Sequence, residues 1–197
     1  MTNWPYNTPG IPDSMFIRGK VPMTKEEIRA VSISKLRILE KDIILDIGAG
    51  TGSLSIEASL QAKKGQVYSI ERKEEGINLI KENIKKFNVC NIKPIKGIAP
   101  IDLENISTVD KAILGGSGGK MREIIIWLSK NLNKNGRIVI NTITIENLYK
   151  AMKYLKENNF KDIELTQIGV SKGKDLANLT MLKANNPIYI ISADKGR

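Results

Sequence analysis

Ile43-Ile44-Leu45-Asp46-Ile47-Gly48-Ala49-Gly50-Thr51-Gly52 is the stretch on which the reading of this chain turns. A short apolar run enters a turn with glycine at every second position, and Ser53 to Lys63 then reads as helical. Glycines at 48, 50 and 52 allow a tight turn and remove the Cβ atoms that would hold a ligand away from backbone N–H groups. A second strand, Val67 to Ile70, ends in Glu71, where a carboxylate can accept from both hydroxyls of a ribose. Strand, glycine turn, helix, strand and acid follow one another in the order a nucleotide site needs, which an empty tight turn does not require.

Outward from this unit the signals keep alternating. Ile77, Ile80, Ile84 and Phe87 share one helical face, as do Met121, Ile124, Ile125, Leu128 and Leu132, and a further helix centres on Leu148, Met152 and Leu155. Ile92 to Lys96, Val109 to Leu114, Arg137 to Thr142, Asp162 to Ile168 and Ile188 to Ser192 read as strands. The alternation predicts an α/β chain with a doubly wound, mostly parallel, Rossmann-like sheet that binds ligands at the carboxyl ends of its strands where the order reverses. Thr24-Lys25-Glu26-Glu27 matches a capping box, so a helix is expected to start there. The 197 residues fit a single domain. Within it, residues 1–23 are expected to form an N-terminal arm, rich in proline and glycine, whose Met15, Phe16, Ile17 and Val21 need a surface to pack on.

The charge balance, 31 Lys+Arg against 21 Asp+Glu, favours an acidic partner: nucleic acid, an anionic membrane surface or a small polycarboxylate. No apolar run reaches the length that spans a bilayer, and the start lacks the basic-then-apolar pattern of a signal peptide, so a cytoplasmic protein is expected. A single cysteine, Cys90, and no histidine leave no internal disulfide and none of the usual zinc sets; no metal is expected. The missing histidine also removes the commonest general base, so any proton transfer falls to carboxylate, Lys, Tyr, water or the substrate itself.

The cofactor contest is between NAD and S-adenosylmethionine, since both place an acid on ribose. In the dinucleotide fingerprint the third glycine comes three residues after the second, yet that position is Ser53 and the glycine sits at 52. Asp46 directly before the loop, together with Gly52, resembles the first motif of class I S-adenosylmethionine-dependent methyltransferases. Lys96-Gly97-Ile98-Ala99-Pro100 and Val109 to Leu114 running into Gly115-Gly116-Ser117-Gly118-Gly119 extend the likeness. In such enzymes the first segment backs the adenine and the second lies under the transferring methyl.

Taken with Gly10-Ile11-Pro12-Asp13, Val21-Pro22-Met23-Thr24-Lys25-Glu26-Glu27-Ile28-Arg29 and Asn186-Pro187, nearly the whole chain resembles the cobalamin-pathway C15-methyltransferases that methylate and decarboxylate cobalt-precorrin-6B. The resemblance implies cofactor contacts at Thr24, Asp46, Gly48, Ala49, Gly50, Thr51, Gly52, Glu71 and Ala99, and a substrate side at Gly116, Ser117, Gly118 and Lys120. Two departures accompany it: Ile98 stands where an acidic residue is expected after Gly97, and Arg72-Lys73 where a less basic pair is usual. The implied cofactor is S-adenosylmethionine, converted to S-adenosylhomocysteine, and the implied partner is a polycarboxylate tetrapyrrole, with the chain a homo-oligomer, as a tetramer.

An electron-rich ring carbon as nucleophile needs no strong protein base, so the absence of histidine is no obstacle; the substrate's carboxylates need cations instead. Arg18, Lys20, Lys25, Lys120, Arg122, Lys172 and Lys174 are the candidates, with Lys120 first because it follows the glycine loop. A tRNA or other RNA methyltransferase shares the fold and the basic charge, but aromatic residues are few, at 5%, and no RNA-binding segment is appended; nucleic acid is not the expected partner. A non-catalytic nucleotide-binding subunit is the alternative from another class, which an intact Glu71 and the 115–119 loop make the less economical one.

Overall fold

The computed structural model describes residues 4–196. Seven strands form the main sheet: β1 (Ile43–Ile47), β2 (Gln66–Glu71), β3 (Ile92–Lys96), β4 (Val109–Leu114), β5 (Leu132–Thr142), β6 (Lys161–Ile168) and the last strand of the chain, β9 (Ile188–Asp194). Between β6 and β9 the chain makes a separate two-stranded hairpin, β7 (Ser171–Leu176) and β8 (Leu179–Ala184). The helices are α1 (Glu26–Leu36), α2 (Ser53–Gln61), α3 (Glu74–Phe87), α4 (Met121–Asn131) and α5 (Ile145–Glu157).

The sheet order is β3-β2-β1-β4-β5-β9-β6. Strands β1 to β5 pair in parallel, and β9 runs antiparallel to both β5 and β6. The order reverses between β1 and β4, which opens a crevice beyond their carboxyl ends. The antiparallel β9, inserted between β5 and β6, sets the sheet apart from the dinucleotide-binding order, in which strands simply follow outward from the centre.

Alternation along the strands sorts the core onto two faces. Leu45 and Ile47 of β1, Ala112 and Leu114 of β4 and Ile138 and Ile140 of β5 pack with Ile124, Ile125, Leu128 and Leu155 of α4 and α5. Ile44, Ile113 and Val139 face the other way, toward α1, α2 and the arm residues Ile11 and Phe16. The arm residues from Trp4 onward are thus laid on the domain, with Ile11, Phe16 and Val21 buried.

The helices and main-sheet strands lie where the periodicity predicts them, with different ends. Leu132 opens β5 instead of closing α4, and α2 stops at Gln61. The predicted capping box is not made: α1 begins at Glu26, its N-cap Lys25 makes no side-chain cap, and Glu27 pairs with Lys172 at 2.7 Å. Asp13 of the arm takes over, its Oδ1 accepting from the Glu26 N–H at 3.0 Å. A carboxylate there satisfies one of the orphan donors and complements the helix dipole. Nothing in the sequence reading anticipated the β7–β8 hairpin.

Candidate active site

Three glycines with positive φ build the turn after β1, and each needs its missing side chain for a different reason. A Cβ on Gly48 would stand 2.5 Å from the Gly116 carbonyl oxygen, because the glycine turn and the 115–119 loop cross backbone to backbone. Ile47 O accepts from Gly115 N at 3.0 Å and from Gly116 N at 3.3 Å, which fixes that crossing. A Cβ on Gly50 would meet Pro22 O of the arm at 2.8 Å, and one on Gly52 would meet Ile80 of α3 at 3.0 Å. The regular spacing seen in sequence therefore serves close packing of chain on chain as well as access for a ligand.

Beyond the turn lies a cavity of about 570 Å³, within the range of small-molecule sites. Asp46, Gly48, Ala49, Gly50, Glu71 and Ala99 line it, as do Thr24 of the arm and Gly116, Ser117 and Gly118 of the second loop. Thr51 and Gly52 sit behind the turn instead, and Lys120 is also outside the wall: it caps α4, its N–H bonded to Ser117 O at 3.0 Å. Among the other proposed cations, only Lys25 reaches the cavity; Arg18, Lys20, Arg122, Lys172 and Lys174 do not line it. Arg72 and Lys73, noted above only as departures from the family pattern, do.

Glu71 spans the turn. Its Oε2 accepts from Gly50 N at 3.0 Å and its Oε1 from Lys73 N at 2.9 Å, which fixes the carboxylate while leaving each oxygen a further lone pair for a hydroxyl. Asp46 is buried beside it. Its Oδ2 accepts from Ser55 Oγ at 2.5 Å, Ser55 in turn accepts from Ser69 Oγ at 2.6 Å, and Oδ1 has no partner. Burial pushes the Asp46 carboxyl up to about 6; the Ser55 hydrogen bond works against that shift and the Glu71 charge adds to it. A lone carboxylate oxygen at the wall of a cavity is costly unless something positive or protic meets it. The N–H groups of Gly48, Gly50 and Gly52 are spent within the chain, on Ile70 O, Glu71 Oε2 and Ala49 O, so the turn offers a close backbone surface. A ribose-competent acid with a second, buried carboxylate in the same wall suits a cofactor with hydroxyls at one end and an ammonium at the other.

Sequence reasoning missed what holds the arm as a wall of the cavity. Arg29 is fully buried, its Nε 2.9 Å from Glu57 Oε1 and its Nη1 2.7 Å from Asp13 Oδ1. The guanidinium also donates to the Thr24 and Ile11 carbonyls and lies 4.6 Å from the Phe16 ring centroid. Glu57 accepts from Gly10 N at 2.9 Å and Ile11 N at 3.1 Å. Asn83 of α3 is the second tie: its Oδ1 accepts from Ile17 N at 2.8 Å, and its Nδ2 donates to Ile17 O and Thr51 O, each at 3.0 Å. One buried amide thus joins the arm to the cofactor turn. The available signal was Arg29 itself, a charge on the same helical face as Ile33 and Leu36.

Fold and site define a class I S-adenosylmethionine-dependent methyltransferase with a Rossmann-like sheet. Within that class the chain belongs to the precorrin methyltransferase domain family, whose model matches residues 14–195. A Saccharolobus solfataricus protein named "Probable cobalt-precorrin-6B C(15)-methyltransferase (decarboxylating)" is 45% identical over 98% of both chains. The cobalt-precorrin-6B C(15)-methyltransferase (decarboxylating) of Salmonella typhimurium is 38% identical over 93% of this chain and 95% of its own. The crystal structure of precorrin-6y C5,15-methyltransferase from Geobacter metallireducens superposes with a TM-score of 0.90, at 37% identity over 95% of this chain and 98% of that one.

Proposed function

We propose that this chain methylates C15 of cobalt-precorrin-6B with S-adenosylmethionine and removes the ring-C acetate carboxyl as carbon dioxide. The observation that carries the reading is the orphaned Asp46 Oδ1, set in one cavity wall with Glu71 and the Gly48–Gly50 turn, in a member of this family. The cofactor supplies an electrophilic methyl on a sulfonium, so the protein's task is to align two reactants and exclude water. Glu71 holds the ribose, Asp46 meets the ammonium of the amino-acid end, and Thr24 and Ala99 line the same cavity. Gly116, Ser117 and Gly118, without bulky side chains, leave the acceptor carbon free to approach. No protein base is needed for attack by a ring carbon. In the decarboxylation the electrons of the broken C–C bond pass into the conjugated macrocycle, and a proton takes the place of the lost carboxyl.

Mass analysis of cobalt-precorrin-6B incubated with protein and cofactor tests this: the product should have gained one methylene and lost one carbon dioxide. Unchanged substrate, or binding of NAD in preference to S-adenosylhomocysteine, overturns it. With S-adenosylhomocysteine in place of the donor neither change should occur, because methylation alters the conjugation that accepts the electrons. The same reading takes the chain as a homo-oligomer, a tetramer. In support, Leu176, Leu179, Met181 and Leu182 on the β7–β8 hairpin are all more than half exposed, an apolar surface unusual for a lone subunit.

A further inference from the structure

Two cations at the cavity wall are unspent. Lys25, which also lines the cavity, lies 3.4 Å from Asp13 Oδ2, and Lys172 is occupied by Glu27. The side chains of Arg72 and Lys73 make no hydrogen bond or ion pair among the described residues, although Glu71 is their chain neighbour. Glu71 has turned both oxygens to the Gly50 and Lys73 backbone N–H groups, which leaves the Arg72 guanidinium uncompensated by direct contact. Its place is specific. A Cβ on Gly118 would stand 3.6 Å from Arg72 Nη1, so the guanidinium reaches from the carboxyl end of β2 across to the 115–119 loop. It therefore bridges the ribose acid on one side and, on the other, the loop assigned to the substrate.

Resting on the function proposed above, we infer that Arg72 is a substrate-binding, specificity-determining residue that receives a peripheral carboxylate of the tetrapyrrole at the mouth of the cavity over Gly118, with Lys73 as a second point charge beside it. A guanidinium stays charged at every accessible pH, and its planar fork accepts a carboxylate through two parallel hydrogen bonds. A salt-bridged arginine could not offer this without first breaking its own pair. Among the cavity-lining cations Arg72 combines freedom from internal partners with contact to the loop, so substrate selection is placed there and not at Lys120.

The test compares Arg72→Gln and Arg72→Lys with wild-type protein in three measurements: S-adenosylhomocysteine affinity by calorimetry, steady-state kinetics with cobalt-precorrin-6B, and titration of an octacarboxylate porphyrin in the presence of S-adenosylhomocysteine. Arg72→Gln should raise KM at least tenfold and weaken porphyrin binding by a similar factor, while S-adenosylhomocysteine affinity stays within twofold. Arg72→Lys should recover part of the loss, and the fall of kcat/KM with added salt should be shallower in Arg72→Gln. Weakened S-adenosylhomocysteine binding with KM and porphyrin affinity unchanged would overturn the inference and move Arg72 to the adenosyl side. No change in any of the three would reduce it to a solvated charge. Wild-type protein that leaves cobalt-precorrin-6B unchanged defeats the proposed function alone; the porphyrin titration then still decides Arg72, by a difference between wild type and variant or by its absence.

Discussion

The N-terminal arm and the β7–β8 hairpin are both additions to the doubly wound core, and both reach the cavity wall, the arm through Val21 to Lys25 and the hairpin through the residues at its base, Val170, Asn185 and Asn186. They are held in opposite ways. The arm buries Ile11, Phe16 and Val21 and is fastened by two fully buried polar side chains, Arg29 and Asn83, each with several partners. Every hairpin residue is exposed, and its ties to the rest of the chain are peripheral: Lys172 to Glu27 and Glu26, and Asn185 N to Val170 O at its base. A segment finished by its own chain can serve as a fixed wall of a cofactor site. A segment that leaves its leucines exposed has no such anchorage of its own.

The largest effect is expected from breaking the arm. Arg29→Met removes the cation paired with Glu57, leaving it only the Gly10 and Ile11 N–H groups, and much of what compensates Asp13, and also the donors to the Ile11 and Thr24 carbonyls. Removing one partner from a buried charge network costs about 3–5 kcal/mol. Urea denaturation should show that loss, accompanied by weaker S-adenosylhomocysteine binding because Pro22 and Thr24 lose their anchorage. A loss under about 1 kcal/mol would mean that the arm is held by its apolar residues alone.

The contrast also explains what could be read in advance. Asp46 to Gly52, Glu71 and the 115–119 loop were legible because strand alternation and obligatory glycines leave marks within a few residues of the effect they cause. The Arg29 network was not, since its partners Asp13 and Glu57 lie 16 and 28 residues away and nothing local pairs them. The hairpin escaped for a different reason. Its register places Leu176 opposite Leu179, so the turn is Ala177-Asn178, with Ala177 at φ +54° where Asn or Gly would have announced a two-residue turn. No buried face imposes a period on the strands around it. Thr24 shows the reverse error, a capping pattern present in sequence but displaced by the Asp13 carboxylate.

At the fixed end of the cavity, pH supplies the next effect. The Asp46 carboxyl is pushed from 3.8 up to about 6 in the folded protein, chiefly by burial. The fold therefore favours the neutral form: the stabilisation is fully present below the unfolded value and is lost as pH rises through about 6. Asp46→Asn should gain on wild type by about 3 kcal/mol between pH 4 and 7 and by nothing further above it, at about 1.4 kcal/mol for each tenfold change in proton affinity. The ammonium of the ligand's amino-acid end prefers an ionised partner, so if Asp46 meets it, the affinity of wild-type protein for S-adenosylhomocysteine should rise with pH over the same window. A stability difference independent of pH would show that Asp46 is ionised throughout.

Glu71→Ala should act on binding more than on folding, weakening S-adenosylhomocysteine by about 1–3 kcal/mol through lost charge-assisted hydrogen bonds. Since Glu71 also accepts from Gly50 N, part of that loss comes from a loosened turn. Glu71→Gln separates the two, because its amide carbonyl can still accept from Gly50 while the charge is gone. Wild-type affinity in both variants would remove Glu71 from the ribose site.

The smallest effect on the isolated subunit is expected at the hairpin, and its smallness is the point. Leu179 and Leu182 are 74% and 75% exposed, so replacing both with serine removes almost no contact within the chain and should change the stability of the dilute subunit by less than about 0.5 kcal/mol per site. If copies of this chain cover one another's hairpins, the same double variant must behave differently at high concentration. Association stabilises only the folded form, so the wild-type Tm should climb with protein concentration while that of the variant stays level. Sedimentation should show the wild type as a tetramer and the variant as a smaller species. Because Val170, Asn185 and Asn186 at the hairpin base also line the cavity, assembly should steady the substrate wall. The KM for cobalt-precorrin-6B should then rise in the variant with S-adenosylhomocysteine affinity unchanged, since the cofactor end is held by Arg29 and Asn83 within one subunit. Equal Tm at all concentrations for both proteins would leave the exposed leucines without a partner of their own kind. Equal loss at both ends of the cavity would erase the distinction between arm and hairpin.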